Sequence, residues 1–396
     1  LFFNRLHMNP DIPLQLLGGI TAREFLRDYW QKKPLLIRQA IPDFESPIDP
    51  DELAGLALEE EVESRLVIEH GERPWEMRRG PFAEDEFSKL PETEWTLLVQ
   101  AVDQFVPEVS ELLENFRFLP SWRVDDVMIS FAAPGGSVGP HFDNYDVFLL
   151  QGHGKRNWKI GQMCDSECKL LPHADLRILA DFEATDEWVL EPGDMLYLPP
   201  RLAHCGVAVD DCMTYSVGFR APSASEVLTH FTDFLSQFLT DEERYTDADA
   251  LPAVDPHQIQ HDALDRLKAL LAEHMSDERL LLTWFGQYMT EPRYPELIVG
   301  PEEVEEEDFL ASLEQGAVLI RNPSARMAWS EVDDDLLLFA SGQSRYLPGK
   351  LRELLKLICA ADALHTDNLG DWLSDEDGRG LLCELVKQGS LGFADE

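Results

Sequence analysis

Apolar positions recur at intervals of three and four in some stretches and crowd into short runs in others, and this division predicts the layout. Thr21 with Glu24 three residues on carries a capping-box signature, predicting a short helix to about Trp30. "KKPLLIRQA" reads as a helix end, a proline and a strand. Residues 51–64 and 92–116 read as helices, the second from Trp95, Leu98, Val99, Val102 and Phe105. From about 124 to 220 the texture changes. "DVMISFAAPGG", "YDVFLLQGHG", "RNWKIG", "EWVLEPGDMLYLPP" and "CMTYSVGFR" are short strands between Gly/Pro turns. They predict an all-β barrel or sandwich with the N-terminal helices on its outside.

Residues 223–292 return to helical spacing, with amphipathic "SEVLTHFTDFLSQFL" and "LDRLKALLAEHM" and nearly apolar "LLLTWFGQYM". Their apolar surplus exceeds what one small layer hides, so this region is expected to dimerise. "VGPEEVEEEDF" marks a further boundary. A helix near 303–314, strands near 317–332 and 335–340, and helices near 350–360 and 379–387 suggest a winged-helix-like domain. The expected domains are 1–222, 223–299 and 300–396.

Composition narrows the function. The chain has 396 residues, 44% hydrophobic, enough for a sizeable core. Its formal net charge is -42. The acidic runs "EEVEEED" and "SEVDDDLL" in the winged-helix-like region would repel a phosphate backbone, so no direct DNA binding is expected there. The excess charge suits either a basic protein partner or solubility in a salty habitat. Six cysteines without a CxxC do not make a disulfide scaffold. With no signal peptide and no apolar run of membrane-spanning length, the expectation is a cytoplasmic protein that does not enter a membrane. The chain opens at Leu1 without a methionine, so starting residues are expected to be missing or altered.

Candidate chemistry centres on His141 and Asp143, with His204 further along. Residues two apart on a strand share a face, so His141 and Asp143 can reach one ion. With His204 they make a two-His, one-carboxylate triad suited to iron(II) with open positions. A zinc or manganese cupin and ordinary polar strand ends are the alternatives. In "GKRNWKIG", period two puts Arg156 on the face of Trp158 and Ile160, pointing into the barrel. A buried guanidinium calls for a carboxylate, and the distal carboxylate of 2-oxoglutarate suits it. A structural ion pair with Asp146 is the plain alternative. Lys155 would be the anchor were the register shifted by one. Ser130 and Ser216, on neighbouring strands, could hydrogen-bond the same carboxylate. Asp125, Asp126 and Asp146 are candidates for drawing a basic side chain to the mouth, flanked by Asn144 and Tyr145. Cys205 reads as a small buried filler. Cys164, Cys168 and His173 lack a fourth ligand for structural zinc.

The segment from roughly 31 to 225 resembles a JmjC-type cupin of the ribosomal oxygenase family. The matches are "DDVMISFAAPGGSVGPHFDNYDVFLLQGHGKRNWKIG", "LEPGDMLYLPPRLAHCG" and "MTYSVGFRAPS". The likeness extends through the helical segment and the winged-helix-like tail, and is strongest to the bacterial branch of arginine hydroxylases acting on the sixteenth protein of the large ribosomal subunit. It implies a mainly β double-stranded β-helix with added α-helices, a helical dimerisation region and a C-terminal winged-helix-like domain. It places iron(II) on His141, Asp143 and His204, and the 2-oxoglutarate anchor on Arg156. Demethylase relatives more often use lysine there, which favours the hydroxylase branch. The implied reaction consumes 2-oxoglutarate and O2 and hydroxylates an arginine Cβ of a basic ribosomal protein, giving succinate and CO2. A lysine hydroxylase or methyl-lysine demethylase is the enzyme alternative, and a non-catalytic acidic docking module the other.

Overall fold

In the computed structural model, residues 9–70, 74–172, 175–361 and 363–394 are described. They form two compact units that divide after Ala221.

The first unit opens with helix α1 (Ala22–Asp28), whose Thr21/Glu24 capping box is present as expected. Strand β1 (Leu35–Ile37) and helix α2 (Pro50–Leu56) follow, the latter capped by Asp49. The expected helix over 51–64 ends at Leu56, and Ser64 instead opens strand β2 (Ser64–His70), which pairs antiparallel with β3 (Pro74–Arg79). Helix α3 (Glu84–Phe87) leads to the main correction of the sequence reading. Residues 92–116 are not one helix. They form strand β4 (Trp95–Val99), a turn of 3-10 helix at Val102–Gln104, helix α4 (Pro107–Ser110) and further 3-10 turns. β4 inserts between β2 and β5 (Val124–Ala132) and exchanges its backbone bonds with both. That pairing overrides a helical spacing that is only a weak prior.

The barrel strands then run as expected: β6 (Val147–His153), β7 (Arg156–Met163), β8 (Asp186–Leu190), β9 (Met195–Leu198), β10 (Leu202–Ala208) and β11 (Cys212–Phe219). One sheet has the order β1-β9-β6-β11-β5-β4-β2-β3, the other β10-β7-β8. Strand β6 of the larger sheet is covered on both sides. On β6, Phe148 and Leu150 join the core beneath Phe25, Leu53 and Phe116, whereas Val147 and Leu149 pack on Trp158, Ile160 and Leu196 inside the barrel. Two-sided burial explains the unbroken apolar run of this strand.

The second unit begins with helices α5 (Ala224–Ser236), α6 (His261–Met275) and α7 (Glu278–Thr290), as the spacing predicts. Phe231 and Leu235 of α5 pack on Trp284 of α7. Beyond lie α8 (Glu306–Glu314), β12 (Leu319–Arg321), β13 (Met327–Val332), β14 (Asp335–Ala340), β15 (Gln343–Pro348), α9 (Arg352–Ala360), β16 (Ala363–Leu364), α10 (Thr366–Leu369), α11 (Glu376–Lys387) and β17 (Leu391–Phe393). The wing is the three-stranded sheet β13-β14-β15. Its third strand escapes the sequence reading because it is mostly exposed and polar, with little apolar pattern. The tight turn before it uses Ser341 and Gly342, both at positive φ, as such hairpins require. Leu354, Ile358, Leu381 and Leu385 form the centre of this part's core. No helix among the described residues is long and apolar enough to cross a membrane.

Candidate active site

The barrel interior is a polar chamber set by strand alternation. Val127 and Ile129 of β5, and Tyr215 and Val217 of β11, belong to the outer core. Their neighbours Ser130, Thr214 and Ser216 therefore face inward, and all three are buried. Ser130 and Thr214 are directly paired across the ladder. Thr214 donates to Gln151 Oε1 at 3.2 Å.

β7 presents the expected faces. Arg156, Trp158 and Ile160 are buried, while Asn157 and Lys159 both meet Glu187 on the outer side. Arg156 is 3% exposed. Its Nη1 donates to Ser130 Oγ at 3.2 Å and its Nη2 to the Gly206 carbonyl at 3.3 Å. Its Nε has no hydrogen-bond partner. The guanidinium carbon lies 5.1 Å from the Trp158 ring centre. Burial pulls the Arg156 pKa down from its ordinary value, and no carboxylate among the described residues opposes it at close range. A buried cation with an idle donor is costly unless an anion joins it.

The histidines meet across an isolated bridge, His204 lying in β10 and His141 in the stretch between β5 and β6. His141 and His204 exchange backbone hydrogen bonds, N to O 3.0 Å one way and 2.9 Å the other. Gly139 at φ +80 and Pro140 turn the chain into this bridge. The ligand-capable atoms of His141, Asp143 and His204 all lie within 4.8 Å of one another. The Asp143 carboxylate is 3.6 Å from His204 Nε2 and 3.9 Å from His141 Nε2. Each Nδ1 is engaged by a carbonyl two residues back, His141 with Gly139 and His204 with Leu202, both at 2.9 Å. A carbonyl accepts only from N–H, so both rings carry a proton on Nδ1 and turn Nε2 toward Asp143. Burial, with His141 beside it, pushes the His204 pKa down to about 4, keeping it neutral as a ligand must be. Two imidazole nitrogens and one carboxylate on one face are the donor set of a non-haem iron(II) site.

Comparison with known proteins identifies the family. A JmjC domain model matches residues 111–227, and a ROXA-like winged-helix model matches residues 273–392. The Escherichia coli ribosomal protein uL16 3-hydroxylase is 39% identical over 372 residues, covering 93% of this chain and 97% of that protein. The chain belongs to the JmjC-type ribosomal oxygenase family. A probable ribosomal oxygenase of Haemophilus influenzae is 36% identical, covering 82% of each chain. The crystal structure of E. coli YcfD superposes with a TM-score of 0.84 at 38% identity, covering 94% of this chain and 98% of that one. A further YcfD structure, in complex with cobalt and 2-oxoglutarate, superposes at 0.83.

Within this ribosomal oxygenase, the structure sorts the remaining candidates. Lys155 is not an anchor: it points outward and pairs with Glu191 at 2.6 Å, the register being the one that buries Arg156. Ser130 touches Arg156, whereas Ser216 shares the interior face without a described contact to it. Asp146 is neither the partner of Arg156 nor a mouth residue. It is fully buried, accepting from Gln31 Nε2 at 2.9 Å and from the Tyr197 hydroxyl at 2.7 Å. Asp125 is paired with Arg220 and Asp126 accepts from Gln100. Tyr145 is 43% exposed. Cys205 lies 3.7 Å from Ser137 Oγ, next to His204 but without a base. His173 lies outside the described residues. Sequence reasoning missed Gly206. A Cβ there would stand 2.7 Å from Arg156 Nε and 2.8 Å from the Trp158 ring. Its only sequence signal is a glycine within a predicted strand, which marks a close approach.

Proposed function

We propose that this chain is an iron(II)- and 2-oxoglutarate-dependent oxygenase that hydroxylates an arginine Cβ of a large-subunit ribosomal protein. The observation that carries the reading is the buried Arg156, its Nε idle, inside the same barrel as the His141, Asp143 and His204 triad. His141, Asp143 and His204 would hold the metal through two Nε2 atoms and a carboxylate. Arg156 and Ser130 would grip the distal carboxylate of 2-oxoglutarate, satisfying the guanidinium that burial leaves short of a partner. When bound, iron with 2-oxoglutarate and O2 supplies insertion of one oxygen atom into a C–H bond, with succinate and CO2 as co-products. The chain's own part is orientation. Gly139 and Leu202 carbonyls fix the two imidazole tautomers, and Trp158 and Gly206 fix the guanidinium.

The acidic surface suits a basic ribosomal protein by charge, and the same sign disfavours bare DNA as a partner. A homodimer is supported by the apolar stripe Leu264, Leu267 and Leu271 on α6, which is 44%, 43% and 51% exposed. The cytoplasm is where a ribosomal substrate would be met.

The test is intact-mass analysis of large-subunit proteins incubated with the iron-loaded enzyme, 2-oxoglutarate and O2. The expected result is a gain of one oxygen on an arginine, matched by succinate. Formaldehyde release would point to demethylation instead. No turnover on any ribosomal protein with the metal site filled overturns the reading.

A further inference from the structure

A surface cleft of the first unit takes no part in the proposed reaction. Its volume is about 420 Å³, and it lies between α2 with its flanking residues and the start of α4. Its floor is apolar: Ile48, Leu56 and Val106 line it and also pack on the main core. Its rim is acidic. Glu52, Glu59 and Glu108 line it, all three are exposed, and no basic side chain is among the described residues that line it. Glu52 Oε2 accepts from the Asp49 amide at 2.8 Å, whereas Glu59 and Glu108 have no ion-pair partner among the described residues.

Gly55 keeps this cleft open. It lines the cleft as the next-to-last residue of α2. Its φ is not in the left-handed region, and an added Cβ would meet no neighbour within 4 Å. Neither backbone geometry nor close packing therefore calls for glycine here, although glycine weakens a helix relative to alanine. What the missing side chain leaves is room.

We infer that the cleft docks a lysine- or arginine-bearing segment of a basic protein. Three exposed carboxylates with no cation beside them in the lining call for positive charge. They do not converge on a metal ion. Among the described residues, His141, Asp143 and His204 are the one group of three whose ligand atoms lie within 4.8 Å of one another. A long basic side chain suits both layers of the cleft. Its methylene stem lies on Ile48, Leu56 and Val106, and its charged end reaches the glutamates. A phosphate backbone has the wrong sign. Under the proposed function, the docked segment belongs to the ribosomal substrate, apart from the arginine that is oxidised. That identity rests on the proposed function, whereas the preference for basic side chains does not.

The full chain is titrated against fluorescein-labelled hexalysine amide at one fixed ionic strength, and Kd is read by fluorescence anisotropy. The double variant Glu59→Gln, Glu108→Gln and, separately, Gly55→Phe should each raise Kd about fivefold or more. Gly55→Phe leaves every charge in place, so its effect reads the cleft and not the net charge. The glutamine pair keeps the shape of the side chains and carries the test should Gly55→Phe not fold. The control is Glu302→Gln, Glu303→Gln, two exposed acids of the second unit, which should change Kd by less than about twofold. A water-soluble carbodiimide then couples bound hexalysine to the carboxylates it touches. Peptide mapping should find the coupling at Glu59 or Glu108 in the parent and not in Gly55→Phe. Absence of saturable binding by the parent, an unchanged Kd in a folded cleft variant, equal weakening by the control pair, or coupling spread evenly over the surface acids overturns the inference. None of these readouts depends on turnover, so a failed oxygenation test leaves them standing.

Discussion

Gly206 stands against the Arg156 guanidinium, where an added Cβ would come within 2.7 Å of Nε. Both groups are fixed by the pairing of β10 with β7, which sets Gly206 opposite Trp158. Gly206→Ala should therefore displace the guanidinium while leaving the triad intact. Overpacking of this kind costs about 1–3 kcal/mol, so the KM for 2-oxoglutarate should rise roughly tenfold or more with a smaller change in kcat. Steady-state kinetics at varied 2-oxoglutarate checks this. An unchanged KM would remove Arg156 from the anchor role.

Arg156 should behave oppositely for stability and for co-substrate binding. Replacing a poorly compensated buried charge with a packed apolar side chain is often stabilising, by about 1–4 kcal/mol. Arg156→Met is thus expected to hold or raise the Tm of the protein without co-substrate. The same variant should lose the further Tm increase that 2-oxoglutarate gives the parent protein. Arg156→Lys keeps the charge but not the planar fork, and should recover only part of the affinity. Thermal shift with and without 2-oxoglutarate reads all three.

Metal binding should be visible without turnover. A divalent ion that binds the folded state alone raises Tm, so cobalt(II) should stabilise the protein and a chelator reverse the shift. Asp143→Ala removes the one carboxylate of the three-residue cluster and should abolish the shift while leaving the metal-free Tm within a few degrees. A full shift in this variant would mean the ion binds elsewhere.

Asp194 should make the barrel acid-sensitive. Its carboxylate accepts from the Gln39 amide at 2.9 Å, the Glu191 amide at 3.1 Å and Arg38 Nη1 at 2.5 Å. These bonds outweigh its burial and hold its pKa below the ordinary carboxylate value. A lowered acid pKa contributes stability that is complete above the unfolded value of about 3.9 and is lost as pH falls through the folded one. The parent Tm should accordingly drop more steeply than that of Asp194→Asn below about pH 4. Parallel curves would show that the carboxylate makes no net contribution.

The sequence by itself determined the local chemistry. Alternation along "RNWKIG" turned Arg156 inward, because period two leaves a strand only two faces and Trp158 claims the buried one. The two-residue spacing of His141 and Asp143, and the Thr21/Glu24 cap, were legible for the same reason: each depends on neighbours in the chain. Tertiary structure decided what depends on distant partners. It made 95–99 a strand, because open ladder positions on β2 and β5 outweighed a helical spacing. It also set His204 against His141, buried Asp146 under Tyr197, sent Lys155 to Glu191 and seated Gly206 on Arg156. Each of these is a contact between residues far apart in sequence, and no local pattern encodes which strand will lie opposite which.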